Sequence, residues 1–98
     1  MAKWSKVLRF TKESAGFIPT ESGVYVFLGE LNGNLYPLIY VGHTDNLRDR
    51  YLNDTKGANR YVTEHAVNYR FLLEAELAER ESIANELIQE RNPVGNAF

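Results

Sequence analysis

Hydrophobic and polar positions alternate most cleanly over residues 23–31, GVYVFLGEL, with Val24, Val26 and Leu28 on one face and Tyr25 and Phe27 on the other. This two-residue period predicts a half-buried strand. Asn32-Gly33 follows as a two-residue hairpin turn, and Leu35 to Gly42 is the expected return strand. Pro37 cannot donate to a ladder, so it belongs on an open edge or near the strand start. In HTDNLRDRYL, Thr44 or Asp45 can cap a short helix that carries Leu47 and Tyr51 on one face. A second short helix is expected over 58–66, and a third strand over Tyr69 to Glu74. Leu77 to Arg91, rich in Ala, Glu and Leu and stopped by Asn92-Pro93, predicts the longest helix. Residues 1–20 read as a basic arm closed by Pro19, which biases Ile18 towards an extended backbone.

Hairpin register decides what the tyrosines at the two strand ends can do. With Asn32-Gly33 as the loop, Tyr25 stands directly opposite Tyr40; with Gly33-Asn34, Tyr40 becomes its diagonal neighbour on the same face. A three-residue loop would put the two phenols on opposite faces. Both two-residue loops therefore bring them side by side, as a stacked aromatic pair or as a shared site.

Composition narrows the field. The chain has 98 residues, enough for one small domain, and 44% hydrophobic with 24% charged residues is ordinary globular material. No apolar run approaches a membrane span, and MAKWSKVLRF lacks the core of a secretory signal. The absence of cysteine excludes disulfides and thiolate metal sites, and a cytoplasmic location is expected. A net charge of −2 argues against a general polyanion binder. That total hides an asymmetry: Lys3, Lys6, Arg9 and Lys12 lie in the first twelve residues without an acid, whereas residues 74–90 hold six glutamates against Arg80.

The sequence after the second tyrosine adds chemistry. YVGHTDNLRDRY places an arginine ten residues beyond Tyr40, past a glycine turn and on the short helix. Together, Gly23-Val24-Tyr25, Tyr40-Val41-Gly42, Asn46-Leu47-Arg48-Asp49-Arg50, Leu87-Ile88 and Asn92-Pro93-Val94-Gly95-Asn96 resemble the GIY-YIG nuclease family over about residues 20–96. The resemblance implies an α/β (α+β) fold, a small three-stranded antiparallel sheet flanked by helices, filling 1–98 as a single domain. It also implies a DNA endonuclease that hydrolyses phosphodiester bonds with one divalent cation, Mg²⁺ or Mn²⁺. By resemblance Tyr40 is the general base or water-positioning phenol, Tyr25 its orienting neighbour, and Arg50 the planar cation for phosphate oxygens. A phenol titrates near 10 when unperturbed, so Tyr40 needs a cationic neighbour or a metal-bound water to act at neutral pH. His43 could shuttle a proton or contact phosphate, against the alternative of a capping loop histidine; His65 reads as structural. Asn96 would anchor the tail and hold the site's hydrogen bonds.

One position departs from the pattern. The family's metal-ligating glutamate lies three residues before the Leu-Ile pair and nine before the proline, which is Ala84 in this chain. Helical phase places Leu77, Ala84, Leu87 and Ile88 on one core-facing stripe. Glu81, about 60° round the helix and about 4.5 Å earlier along its axis, is the nearest substitute; Glu86 lies about 160° away. Three readings follow: an active enzyme changed from Glu to Ala, a natural binding module without catalysis, or rescue by another acid. The first predicts a chain inert as written.

A DNA surface is expected from Lys3, Lys6, Arg9 and Lys12 together with Arg48, Arg50, Lys56 and Arg60, giving weak and salt-sensitive binding. No recognition helix or zinc knuckle is evident, so little sequence reading is expected. Selectivity would come from a partner, a homodimer, or substrate shape such as single strands or branches.

Overall fold

The computed structural model describes residues 3–97. Met1 and Ala2, the first two residues of the basic arm, and Phe98 at the end of the predicted domain lie outside them. Among the described residues four strands form one antiparallel sheet: β1 (Leu8–Arg9), β2 (Gly23–Leu28), β3 (Leu38–Thr44) and β4 (Asn68–Leu73), in the order β1-β4-β2-β3. The expected three strands are all present. The fourth comes from the basic arm, where Leu8 pairs with Tyr69 and Arg9 with Asn68. The arm is therefore fastened to the sheet, and buried Leu8 joins the core. Tyr51 reinforces it: its hydroxyl donates to the Thr11 carbonyl at 2.7 Å and accepts from the Thr11 N–H at 3.1 Å.

Helices cover both faces. On one side α3 (Leu77–Arg91) packs Ala84, with Ile83, Leu87 and Ile88, against Val24, Val26, Val41 and Leu72. On the other, α1 (Leu47–Thr55), α2 (Arg60–His65) and a 3-10 helix (Lys12–Phe17) close over Tyr25, Phe27 and Tyr69. The alternation in β2 is thus an alternation between two cores, both covered, and every residue of the strand is buried. The α3 limits match the expected helix. Its stripe does not: Leu77 is exposed, and Arg80 takes that turn's inward position, donating to the Glu74 and Ala75 carbonyls at 3.2 and 2.8 Å.

The hairpin settles on the second of the two phenol-pairing registers. Asn32 and Leu35 close a two-residue turn on Gly33-Asn34, with Gly33 at φ 64, a left-handed conformation that glycine adopts without a Cβ penalty. Tyr25 pairs with Gly42 and Phe27 with Tyr40, and Ile39 is an extra residue before Leu28 meets Leu38. Because Tyr25 and Tyr40 are diagonal neighbours, both point to the α1 side. The α1 cap is Asn46, whose side chain accepts from the Asp49 N–H at 3.0 Å, in place of the expected Thr44 or Asp45. Thr44 Oγ1 acts one step earlier, accepting from the Asn46 N–H at 3.2 Å.

Candidate functional site

Strand β3 is the open edge of the sheet, and a cleft of about 310 Å³ lies along it. Tyr25, Tyr40, His43 and Arg50 line it, with Ala84 and Asn85 from α3 on its far wall. Residues from both faces of the sheet can meet there because of Gly42. A Cβ at that position would stand 2.4 Å from both the Cζ and the hydroxyl of Tyr25. The Tyr25 ring therefore lies across its glycine partner and carries its hydroxyl over the edge strand, towards side chains of the opposite face. Tyr40 follows at a ring separation of 6.3 Å.

Behind the phenol stands the charge. Arg50 leaves α1 one turn before Asp54, and its Nε lies 3.5 Å from Asp54 Oδ2. The arginine side chain is 40% exposed and the carboxylate 2%. The ion pair with Arg50 compensates the charge of this buried carboxylate. Burial pushes the Asp54 carboxyl above the ordinary carboxylate range, against the pull of Arg50. Burial also pushes Tyr25 far above the ordinary phenol value, with Arg50 opposing it, so this hydroxyl keeps its proton at physiological pH and can donate it in a hydrogen bond. Arg50 carries its charge at any physiological pH, and the buried Asp54 carboxylate is the anion beside it. The cleft thus offers a planar cation, a protonated phenol, a second phenol and an imidazole, which is a receptor for an anion with several oxygens.

This electrostatic arrangement has a measurable consequence for folding. Because the folded state raises the Asp54 pKa, the unfolded chain loses this proton at lower pH than the folded chain. Through that window the unfolded state binds fewer protons, and stability falls as pH rises. Asp54→Asn should match the chain below the ordinary carboxylate range and melt at higher temperature near neutral pH. A lower melting temperature near neutral pH would mean that the pairing with Arg50 outweighs the cost of burial.

Asn96 holds the frame. Asn92 ends α3 in a left-handed turn at φ 47, and the chain returns through Val94–Asn96 to the β3 edge. There Asn96 Oδ1 accepts from the Val41 N–H at 2.9 Å, and its Nδ2 donates to the Val41 carbonyl at 2.8 Å. One side-chain amide pairs with an edge residue as a neighbouring strand would. Asn96→Ala leaves both Val41 groups without these partners and should cost about 1–3 kcal/mol, read by denaturant unfolding.

Not all expected site residues meet. Glu81 is exposed and does not line the cleft, so it is no substitute for a ligand at position 84. Lys3, Lys6, Arg9 and Lys12 are exposed, but β1 lies at the opposite edge from β3, three strand spacings or about 14 Å away. Arg9 faces Glu30 at 3.6 Å. Arg48 spends its Nε on the Ile18 carbonyl at 2.7 Å and fastens α1 to the end of the arm. Lys56 and Arg60 are exposed, with Arg60 paired to Glu64 at 2.9 Å. Two residues were missed by sequence reasoning. Asp54 could have been found from its four-residue spacing to Arg50; Asn85 carried no sequence cue.

The residues present do not fit a divalent cation. No Asp or Glu lines the cleft, Arg50 brings a positive charge to it, and among the described residues no three His, Cys, Asp or Glu side chains cluster.

Comparison with solved structures places the architecture. The GIY-YIG N-terminal endonuclease domain of UvrC from Thermotoga maritima, bound to its catalytic magnesium, superposes with a TM-score of 0.71 at 21% identity, covering 86% of this chain and 92% of that one. An asparagine-to-alanine mutant of that domain with its divalent cation gives 0.68 at 23% identity, with coverage of 86% and 91%. A tyrosine-to-phenylalanine mutant gives 0.70 at 20% identity, with coverage of 86% and 92%. No protein-family model matches the chain, and no curated protein matches it. The fold is that of a GIY-YIG endonuclease domain, with four strands in its sheet.

Proposed function

We propose that the β3-edge cleft is a phosphodiester site of the GIY-YIG type, acting on DNA, and that the chain with alanine at 84 binds DNA there without cutting it. One observation carries this reading: Tyr25, Tyr40, His43, Arg50 and the α3 position 84, scattered over sixty residues of sequence, line one cleft. The fold likeness to an endonuclease domain supports it independently.

Each side chain has a role consistent with its surroundings. Arg50 holds non-bridging phosphate oxygens, fixed from behind by Asp54. The protonated Tyr25 hydroxyl donates to the same phosphate. Tyr40, next to it, positions the attacking water or takes its proton, and His43 stands on the same strand for a proton or an oxygen contact. Position 84 is where a carboxylate would enter the cleft, and with it Mg²⁺ or Mn²⁺. With alanine there, this site recognises and does not hydrolyse.

Nicking of supercoiled plasmid and of single-stranded DNA, by the chain and by Ala84→Glu, tests the proposal. Cleavage on restoring the carboxylate supports it. A rival from another class, a nucleic-acid-binding or interaction module on the same fold, rests on the carboxylate-free cleft and predicts that neither form cuts. Absence of cleavage together with absence of salt-dependent DNA retention would overturn both.

A further inference from the structure

Beside the cleft, and sharing Tyr40 with it as a wall, lies a second cavity of about 480 Å³. Tyr40 and Tyr61 line it, with Asn59, the cap of α2, and Arg60 and Glu64 one turn apart on that helix. Its chemistry differs from that of its neighbour. The first cleft carries Arg50 with no acid in its lining; here Arg60 and Glu64 are bound to each other at 2.9 Å, so the wall is close to neutral. Two phenol rings face a space of ligand-pocket size. Tyr61 is backed by the His65 imidazole at a ring separation of 4.3 Å, which limits its freedom. Asn59 is also fixed, because its Oδ1 accepts from the Val62 N–H at 3.2 Å as the cap of α2. That cap orients the Asn59 amide N–H₂, a donor suited to the ring nitrogens and carbonyls of a base edge.

We infer that this cavity is a base subsite, receiving an unpaired nucleobase of the DNA strand whose phosphate lies on Arg50. The inference rests on the phosphodiester reading of the cleft. The phosphate and base of a nucleotide are covalently joined, and the two cavities adjoin through Tyr40. An anion suits the side where the Arg50 guanidinium is partly exposed and its carboxylate partner is buried behind it, outside the lining. A flat, neutral, aromatic group suits the side with two rings and a self-neutralised ion pair. A base in an intact duplex is stacked and paired and cannot enter. The substrate class is therefore single-stranded DNA or a strand unpaired at a branch or end.

The probes are three DNAs of equal length: a fluorescent single strand, the corresponding duplex, and an all-abasic strand that keeps the backbone charge. Affinity is read by anisotropy at low salt. Tyr61→Leu should weaken single-strand binding about 5- to 150-fold and leave duplex binding unchanged, while Tyr61→Phe binds as the chain does. The all-abasic strand should bind the chain weakly by the same factor and show no further loss with Tyr61→Leu. Arg50→Gln should weaken every complex. If Tyr61→Leu or base removal leaves affinity intact while Arg50→Gln abolishes it, the subsite is wrong and the phosphodiester cleft stands. If Arg50→Gln has no effect, the cleft reading fails and the subsite with it. Should Tyr61→Leu not fold, the all-abasic comparison on the unaltered chain decides.

Discussion

Ala84→Glu is expected to nick supercoiled plasmid with Mg²⁺ or Mn²⁺ under conditions where the chain itself leaves it intact, a gain of about a thousand-fold or more. A divalent ion aimed at a phosphoryl oxygen supplies several kcal/mol of transition-state stabilisation, and every 1.36 kcal/mol is about tenfold in rate. The surroundings make this substitution informative. Ala84 is 3% exposed and packs with Val24, Val26 and Val41, yet it also lines the cleft beside Asn85. A glutamate there has an apolar wall behind it and the cleft in front, so its carboxylate can be hydrated or ligated only in the cleft. Without a cation the variant should be less stable by about 1–3 kcal/mol, the cost of bringing a polar group to that wall. Divalent cation should restore that stability by binding the folded form alone, while the melting temperature of the unaltered chain stays fixed. Tyr40→Phe added to Ala84→Glu should then slow cleavage; an unchanged rate would remove that phenol from the chemistry. An Ala84→Glu variant that neither cuts nor gains stability with the cation would leave only the binding reading.

What could be read without coordinates was whatever depended on local pattern. Alternation marked β2, an Ala, Glu and Leu run marked α3, and the choice of loop left two acceptable registers, of which Gly33-Asn34 is the one adopted. Strand β1 was invisible because it spans only Leu8–Arg9 and exists through its partners on β4; no two residues carry a period. The α1 cap was misassigned among three adjacent capping residues, and the one with its oxygen on the Asp49 N–H proved to be Asn46. Charge alone does not locate a side chain. Sheet order sets β1 and the expected DNA surface of the arm on the edge opposite the cleft. Arg80 and Asp54, charged and in helices, are buried: one caps the end of β4 and the other backs Arg50. Sequence separation hides such pairs because their partner is chosen by tertiary packing.

Gly42→Ala should be strongly damaging although it adds only one methyl group to this site. The new Cβ would lie 2.4 Å from the Tyr25 ring, which is 3% exposed and packs against Phe27 at 5.7 Å and Tyr69 at 6.1 Å. Moving it costs core contacts, and overpacking of this kind destabilises by about 1–3 kcal/mol. The same displacement carries the hydroxyl away from Arg50, so salt-dependent DNA binding should fall in step with stability. Strand disruption and ring collision make different predictions for a double change. If the clash with Tyr25 is the cause, Gly42→Ala should cost little when added to Tyr25→Leu, whose side chain ends short of the contact, and the two effects will be strongly non-additive. If alanine simply spoils the edge strand, the costs will add. Additivity would therefore separate Gly42 from the Tyr25 phenol.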